Sequence, residues 1–226
     1  TPASFIAHQI NRNMTEEIAA DYLKTDIDVF IGGGRICFEK RKDGRNLLEE
    51  LKNKNYQIAY TLDEVKKIKS GKLAGLLYDQ HPPLMPERGN MLADATMAAI
   101  NILDNTPKGF FLMIEGSQID WAAHANNTEQ VIKEMLDFDQ TIDHVLDYAQ
   151  KEGNTLVIIT ADHETGGMAL LDGEFGSDSL KVEFGTTNHT GVPVPVFAFG
   201  PGAEYFTGFM ENTIFKSKIE KLLNLP

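Results

Sequence analysis

Glu115-Gly-Ser-Gln-Ile-Asp120-Trp-Ala-Ala-His124 follows directly on the apolar run Gly109-Phe-Phe-Leu-Met-Ile114. The run reads as a buried strand that ends in a carboxylate. The residues from Gln118 onward read as a helix carrying Asp120 and His124 one turn apart. A strand, a donor-bearing junction and a helix form the repeating unit of an α/β sheet, and such a sheet presents its chemistry at the carboxyl ends of its strands. The same grammar recurs downstream, where the near-continuous β run Thr155-Leu-Val-Ile-Ile-Thr160 leads into Asp162-His163. A run with so few polar residues is expected of a central parallel strand, buried on both faces.

Reading outward, strands and helices alternate through the chain. Asp28-Val-Phe-Ile31, Tyr56-Gln-Ile-Ala-Tyr60, Lys72-Leu-Ala-Gly-Leu-Leu-Tyr78 and Val194-Pro-Val-Phe-Ala-Phe199 read as strands, with Pro195 marking an edge or a bulge in the last. Helices are expected from Thr15 to Leu23, around Leu47 to Leu51, over Leu62 to Ile68, Met91 to Leu103 and Asn212 to Leu223. The longest should run from Thr128 to Lys151, with Asn127 as N-cap and Gly153 as the stop. Its apolar stripe would include Val131, Ile132, Met135, Leu136, Phe138 and Ile142. The loop His81-Pro-Pro-Leu-Met-Pro-Glu-Arg-Gly89 is too rich in proline for a regular element. No repeat or linker interrupts the pattern, so residues 1–226 read as a single domain.

Bulk properties narrow the function. A chain of 226 residues with 42% hydrophobic and 24% charged residues can bury one sizeable core. No apolar run approaches the roughly 20 residues a membrane span needs. The net charge of −12 argues against nucleic acid and anionic membranes as partners. The single Cys37 excludes an internal disulfide and reads as a structural thiol.

The donors are of the kind zinc prefers. Asp120 and His124, at i and i+4, project from one helix face and supply two ligands. A third must come from a distant loop, and His189 in Thr186-Thr-Asn-His-Thr-Gly191 is the candidate. Adjacent Asp162 and His163 can both reach one ion if the backbone twists, and Glu115 suits a harder, oxygen-seeking ion such as magnesium. Each has a plain alternative: a helix-surface hydrogen bond for the pair, an Asx-turn for the dipeptide, a sheet-edge carboxylate for Glu115. Together they point to hydrolysis of a phosphate ester between two closely spaced metals. Arg12 is a candidate anchor for the phosphate, since a guanidinium grips two oxygens at once. His144, on the long helix, is expected to be solvated; His8 is expected to be packed or hydrogen-bonded.

Along essentially its whole length the chain resembles the C-terminal part of an alkaline phosphatase. The motifs that carry the resemblance are Thr1-Pro-Ala-Ser-Phe-Ile-Ala-His-Gln-Ile-Asn-Arg12, Asp28-Val-Phe-Ile-Gly-Gly-Gly34, Gly109 to Asp120 with His124, Thr160-Ala-Asp-His163 and His189-Thr-Gly191. The resemblance implies a three-layer αβα sandwich, incomplete here because N-terminal strands are missing. It implies Asp120, His124 and His189 as ligands of a first zinc, Asp162 and His163 as ligands of a second, and Thr1 and Glu115 as ligands of a magnesium ion. Arg12 would bind the substrate phosphate, and Trp121 would modulate the network around the magnesium. It also implies hydrolysis of small phosphate monoesters through a phosphoserine intermediate, by a periplasmic or extracellular parent that can be a homodimer. The serine nucleophile and one bridging aspartate of the family fall upstream of the opening motif, so this chain alone is expected to be inactive. Two alternatives stay open: another hydrolase of the same fold (a phosphodiesterase, sulfatase or phosphomutase relative), or a non-catalytic zinc-binding remnant.

Overall fold

The computed structural model describes residues 1–177 and 179–225. They divide into two compact units, residues 1–117 and residues 118–226.

The first unit is built on a parallel sheet. In chain order it contains α1 (Thr15–Asp21), β1 (Val29–Gly32), α2 (Ile36–Glu39), α3 (Leu47–Asn53), β2 (Tyr56–Ala59), α4 (Leu62–Lys67), β3 (Lys72–Leu76) and α5 (Met91–Leu103). The strand order is β1-β3-β2, with Phe30 and Ile58 both in register with Ala74. Side chains alternate across a strand, and that period of two sorts this sheet into two cores. Phe30, Ile58, Ala74 and Leu76 face a cluster with Leu47, Leu48 and Leu51 of α3, Phe38 and Tyr56. Val29, Ile31, Ala59 and Leu73 face Val65 of α4 and Ala98 and Ile102 of α5. Helices therefore cover both faces, as a parallel sheet requires.

Local signals set the helix ends. Thr61 and Glu64 form a capping box at the start of α4, and the Asn46 side chain caps α3 by accepting from Leu48 and Glu49. α1 begins at Thr15 as expected, with Met14 in the cap position and no side-chain cap hydrogen bond.

The second unit contains α6 (Gln118–His124), α7 (Thr128–Glu152), β4 (Val157–Ile159), β5 (Glu164–Thr165), β6 (Ala169–Gly173), β7 (Leu180–Glu183), β8 (His189–Thr190), β9 (Phe197–Phe199) and α8 (Ile214–Leu222). The strands form three antiparallel pairs, β4–β9, β5–β8 and β6–β7. Asn127 caps α7 through Gln130 N at 3.1 Å, and Gly153 ends it at φ 86°, a left-handed value that costs glycine nothing.

Four expectations need correction. The run Gly109–Ile114 forms no strand; a strand exists through its ladder, and no described segment supplies one here. Among the described residues Val157–Ile159 pairs with β9 alone, antiparallel, so the parallel neighbours expected of a central strand are not among them. On α7 the buried side includes Glu134, Asp137 and Thr141, while Met135 and Leu136 are 46% and 62% exposed, because the face that packs holds Val131 against α6. His8 is exposed, and it is its backbone that hydrogen-bonds, to Asp21. His144 is exposed as expected. No helix among the described residues is long and apolar enough to cross a membrane.

Candidate metal centre

α6 presents Asp120 and His124 on one face, as the i,i+4 spacing dictates. β8 brings His189 to them by pairing with β5, in the register Thr165↔His189. The turn after β5 depends on Gly166, whose φ is +92° and whose absent Cβ would lie 2.9 Å from the Phe184 ring and 3.1 Å from the carbonyl of Ala123. Any side chain there would push the β5–β8 pair away from α6.

The resulting geometry could hold one metal ion. His124 Nε2 lies 3.2 Å from His189 Nε2, 3.4 Å separates it from Asp120 Oδ1, and Asp120 Oδ1 is 3.7 Å from His189 Nε2. Zinc–ligand bonds of about 2.0–2.1 Å in a tetrahedron set neighbouring ligand atoms about 3.3 Å apart. The three measured separations bracket that edge. Among the described residues these form the one group of three or more donors close enough to share an ion.

The histidines are also prepared chemically. His124 Nδ1 lies 2.6 Å from the carbonyl oxygen of Thr187. A carbonyl only accepts, so Nδ1 carries the hydrogen and the neutral ring is left with a lone pair on Nε2, the atom that faces the triad. A backbone carbonyl holding the second ring nitrogen is the usual way a ligating imidazole is oriented.

Asp162 and His163 come together as a pair, with Oδ2 and Nε2 3.4 Å apart, again a tetrahedral edge. The His163 ring stacks on His189, centroids 3.6 Å apart at an interplanar angle of 19°. Thr1 and Glu115 are also brought together, with the backbone nitrogen of Thr1 2.9 Å from Glu115 Oε1. Two groups are far short of the six oxygens that magnesium takes. Arg12 is exposed in the turn after the first residues, where Asn11 Oδ1 accepts from the Asn13 amide, and its guanidinium carries no ion pair among the described residues. Trp121 is 45% exposed on α6.

Two contributors escaped the sequence reading. Thr165 donates to Asp120 Oδ1 at 2.6 Å. Glu164 accepts from the amides of Gly167 and Met168 and from the Thr190 hydroxyl, which locks β5 to β8. A usable signal was present: Thr165 lies two residues beyond His163, on the same face of an extended segment.

One chain thus combines an α/β unit with an imidazole–carboxylate triad that could hold a metal ion, and comparison with known proteins gives its family. The family model described as alkaline phosphatase matches residues 1–183. Alkaline phosphatase 4 of Bacillus subtilis is 34% identical over 99% of this chain and 64% of its own length. Alkaline phosphatase 3 of the same organism is 32% identical, over 99% and 65%. The structure of alkaline phosphatase from the Antarctic bacterium TAB5 superposes with a TM-score of 0.93 at 45% identity, covering 99% of this chain and 68% of that one. A variant of the TAB5 enzyme with magnesium bound in its M3 site gives 0.90 at 43% identity. The chain belongs to the alkaline phosphatase family and has its α/β fold. It spans about two thirds of the length of these relatives, 64% and 65% of the two from Bacillus.

Proposed function

We propose that this chain carries the metal-binding part of a phosphate-monoester hydrolase. The observation that supports it most is the triangle of Asp120 Oδ1, His124 Nε2 and His189 Nε2, whose edges suit one tetrahedral zinc. Asp162 and His163 would hold a second zinc, and Glu115, with Thr1, a magnesium ion. When bound, the two zinc ions would supply Lewis-acid stabilisation of the oxygens on either side of the transferring phosphorus.

The chain's own residues do the rest. The Thr187 carbonyl keeps the His124 lone pair on Nε2, and β5–β8 pairing holds His189 beside it. Stacking of His163 on His189 limits rotation of both rings. Arg12, exposed and without an ion pair among the described residues, is assigned as the fork for two phosphate oxygens on the family resemblance. On this reading the serine that takes the phosphoryl group belongs to the part of the relatives' length that this chain does not span. The whole protein is assigned to the periplasm or the extracellular space, with small phosphate monoesters as substrates, residues 1–226 as one alkaline phosphatase-like domain and a homodimer as its assembly, all on the same resemblance.

The test is hydrolysis of a chromogenic monoester, diester and sulfate by the zinc- and magnesium-loaded chain, alone and mixed with a serine-bearing N-terminal segment of a relative. No turnover alone and selective monoester turnover in the mixture is expected. Turnover by the chain alone, or a preference for diester or sulfate, would overturn the reading.

A further inference from the structure

We propose that Thr165 is a positioning residue whose single hydroxyl ties the triad to the Asp162–His163 pair. The inference rests on the metal-centre reading above. Thr165 is 8% exposed. Its Oγ1 lies 2.6 Å from Asp120 Oδ1 and 3.2 Å from His163 Nδ1.

A hydroxyl has one proton to give and lone pairs to receive. The carboxylate oxygen of Asp120 can only accept, so the Thr165 proton goes there. The contact with His163 then works in one direction: Oγ1 accepts, and His163 Nδ1 carries the hydrogen. The neutral ring is left with its lone pair on Nε2, the nitrogen that faces Asp162 Oδ2 at 3.4 Å. One side chain thereby fixes two things at once. It stops rotation of the Asp120 carboxylate at the very oxygen that meets His124 and His189. It also selects the His163 tautomer that can bind a metal through Nε2. The backbone of Thr165 adds a third tie, because it pairs with His189 across β5 and β8.

The parent chain and two variants, Thr165→Val and Thr165→Ser, are titrated with zinc in competition with a chromogenic chelator. Valine keeps the shape and loses the hydroxyl; serine keeps the hydroxyl. Thr165→Val is expected to weaken zinc binding by about 10–100-fold, the usual loss when a group that orients a metal ligand is removed. Thr165→Ser is expected to restore it, which a purely packing role for the side chain would not do. Nitrogen NMR of the metal-free parent, with the rings neutral, should show the His163 hydrogen on Nδ1, and Thr165→Val should convert that ring to a mixture of tautomers.

Parent-like zinc binding by Thr165→Val overturns the inference and leaves the metal centre standing. A parent chain that binds no zinc overturns both. Should Thr165→Val fail to fold, the ring-nitrogen pattern of the parent decides: a hydrogen on Nε2 of His163 refutes the tautomer argument.

Discussion

Replacing His189 by alanine tests the metal centre most directly, because His189 is the one triad member that arrives from β8 rather than α6. Its Nε2 stands 3.2 Å from His124 Nε2 and 3.7 Å from Asp120 Oδ1, separations that suit ligand atoms sharing one ion. A four-ligand zinc site is worth roughly 10–16 kcal/mol, which apportions about 2.5–4 kcal/mol to each ligand. At 1.4 kcal/mol per tenfold, His189→Ala should weaken zinc binding about 10²–10³-fold. The consequence for stability follows by mass action. Free zinc at 100 times the parent's Kd stabilises the parent by about 2.7 kcal/mol, and the variant at the same zinc by about 0.4 kcal/mol or less. The assay is urea unfolding at that fixed free zinc and in chelator, read by circular dichroism. His144→Ala, an exposed change on α7, is the control and should behave as the parent. Equal zinc stabilisation of His189→Ala and parent would refute the argument, as would a parent indifferent to zinc.

Four further outcomes follow from the same structure. Asp21 accepts from Lys24 and Gln9, each at 2.6 Å, and these bonds hold its carboxyl below the usual carboxylate range. A pKa lowered by folding contributes stability above the unfolded value of about 4 that is lost as pH falls through the folded value; Asp21→Asn should therefore flatten the decline in the urea midpoint below pH about 4, and an unchanged slope would count against it. A Cβ on Gly33 would sit 1.8 Å from the carbonyl oxygen of Gln80, a backbone atom that cannot swing away, so Gly33→Ala should destabilise the chain by at least about 1–3 kcal/mol in denaturant titration. Leu51 is fully buried in the α3 cluster, and Leu51→Ala should cost about 2–5 kcal/mol by the same measurement. Arg12→Ala should leave the unfolding midpoint within about 0.5 kcal/mol of the parent, since it removes an exposed side chain, while weakening inhibition by inorganic phosphate in the serine-complemented mixture; unchanged inhibition would remove Arg12 from its assigned role.

The sequence by itself determined the parallel sheet of the first unit and the donors of the second. Period-two alternation in Val29–Ile31 and Leu73–Leu76 sorts their side chains onto two opposite cores, and that information is local. The i,i+4 spacing of Asp120 and His124 is likewise local, so the pair was legible before any fold was known. Whether Gly109–Ile114 and Thr155–Thr160 become parallel strands was not legible, because a strand depends on the neighbour that completes its ladder. The face that α7 buries was misread for a related reason: the side holding Val131 packs against α6, and Glu134 and Thr141 are buried although polar. Tertiary structure alone brought His189 to the triad, put the Thr187 carbonyl on His124 and set Thr165 between Asp120 and His163. Apart from Thr165 and His163, two positions apart, those contacts join residues 45 to 69 positions apart, and the β5–β8 pairing with its glycine turn brings such distant groups within hydrogen-bond reach.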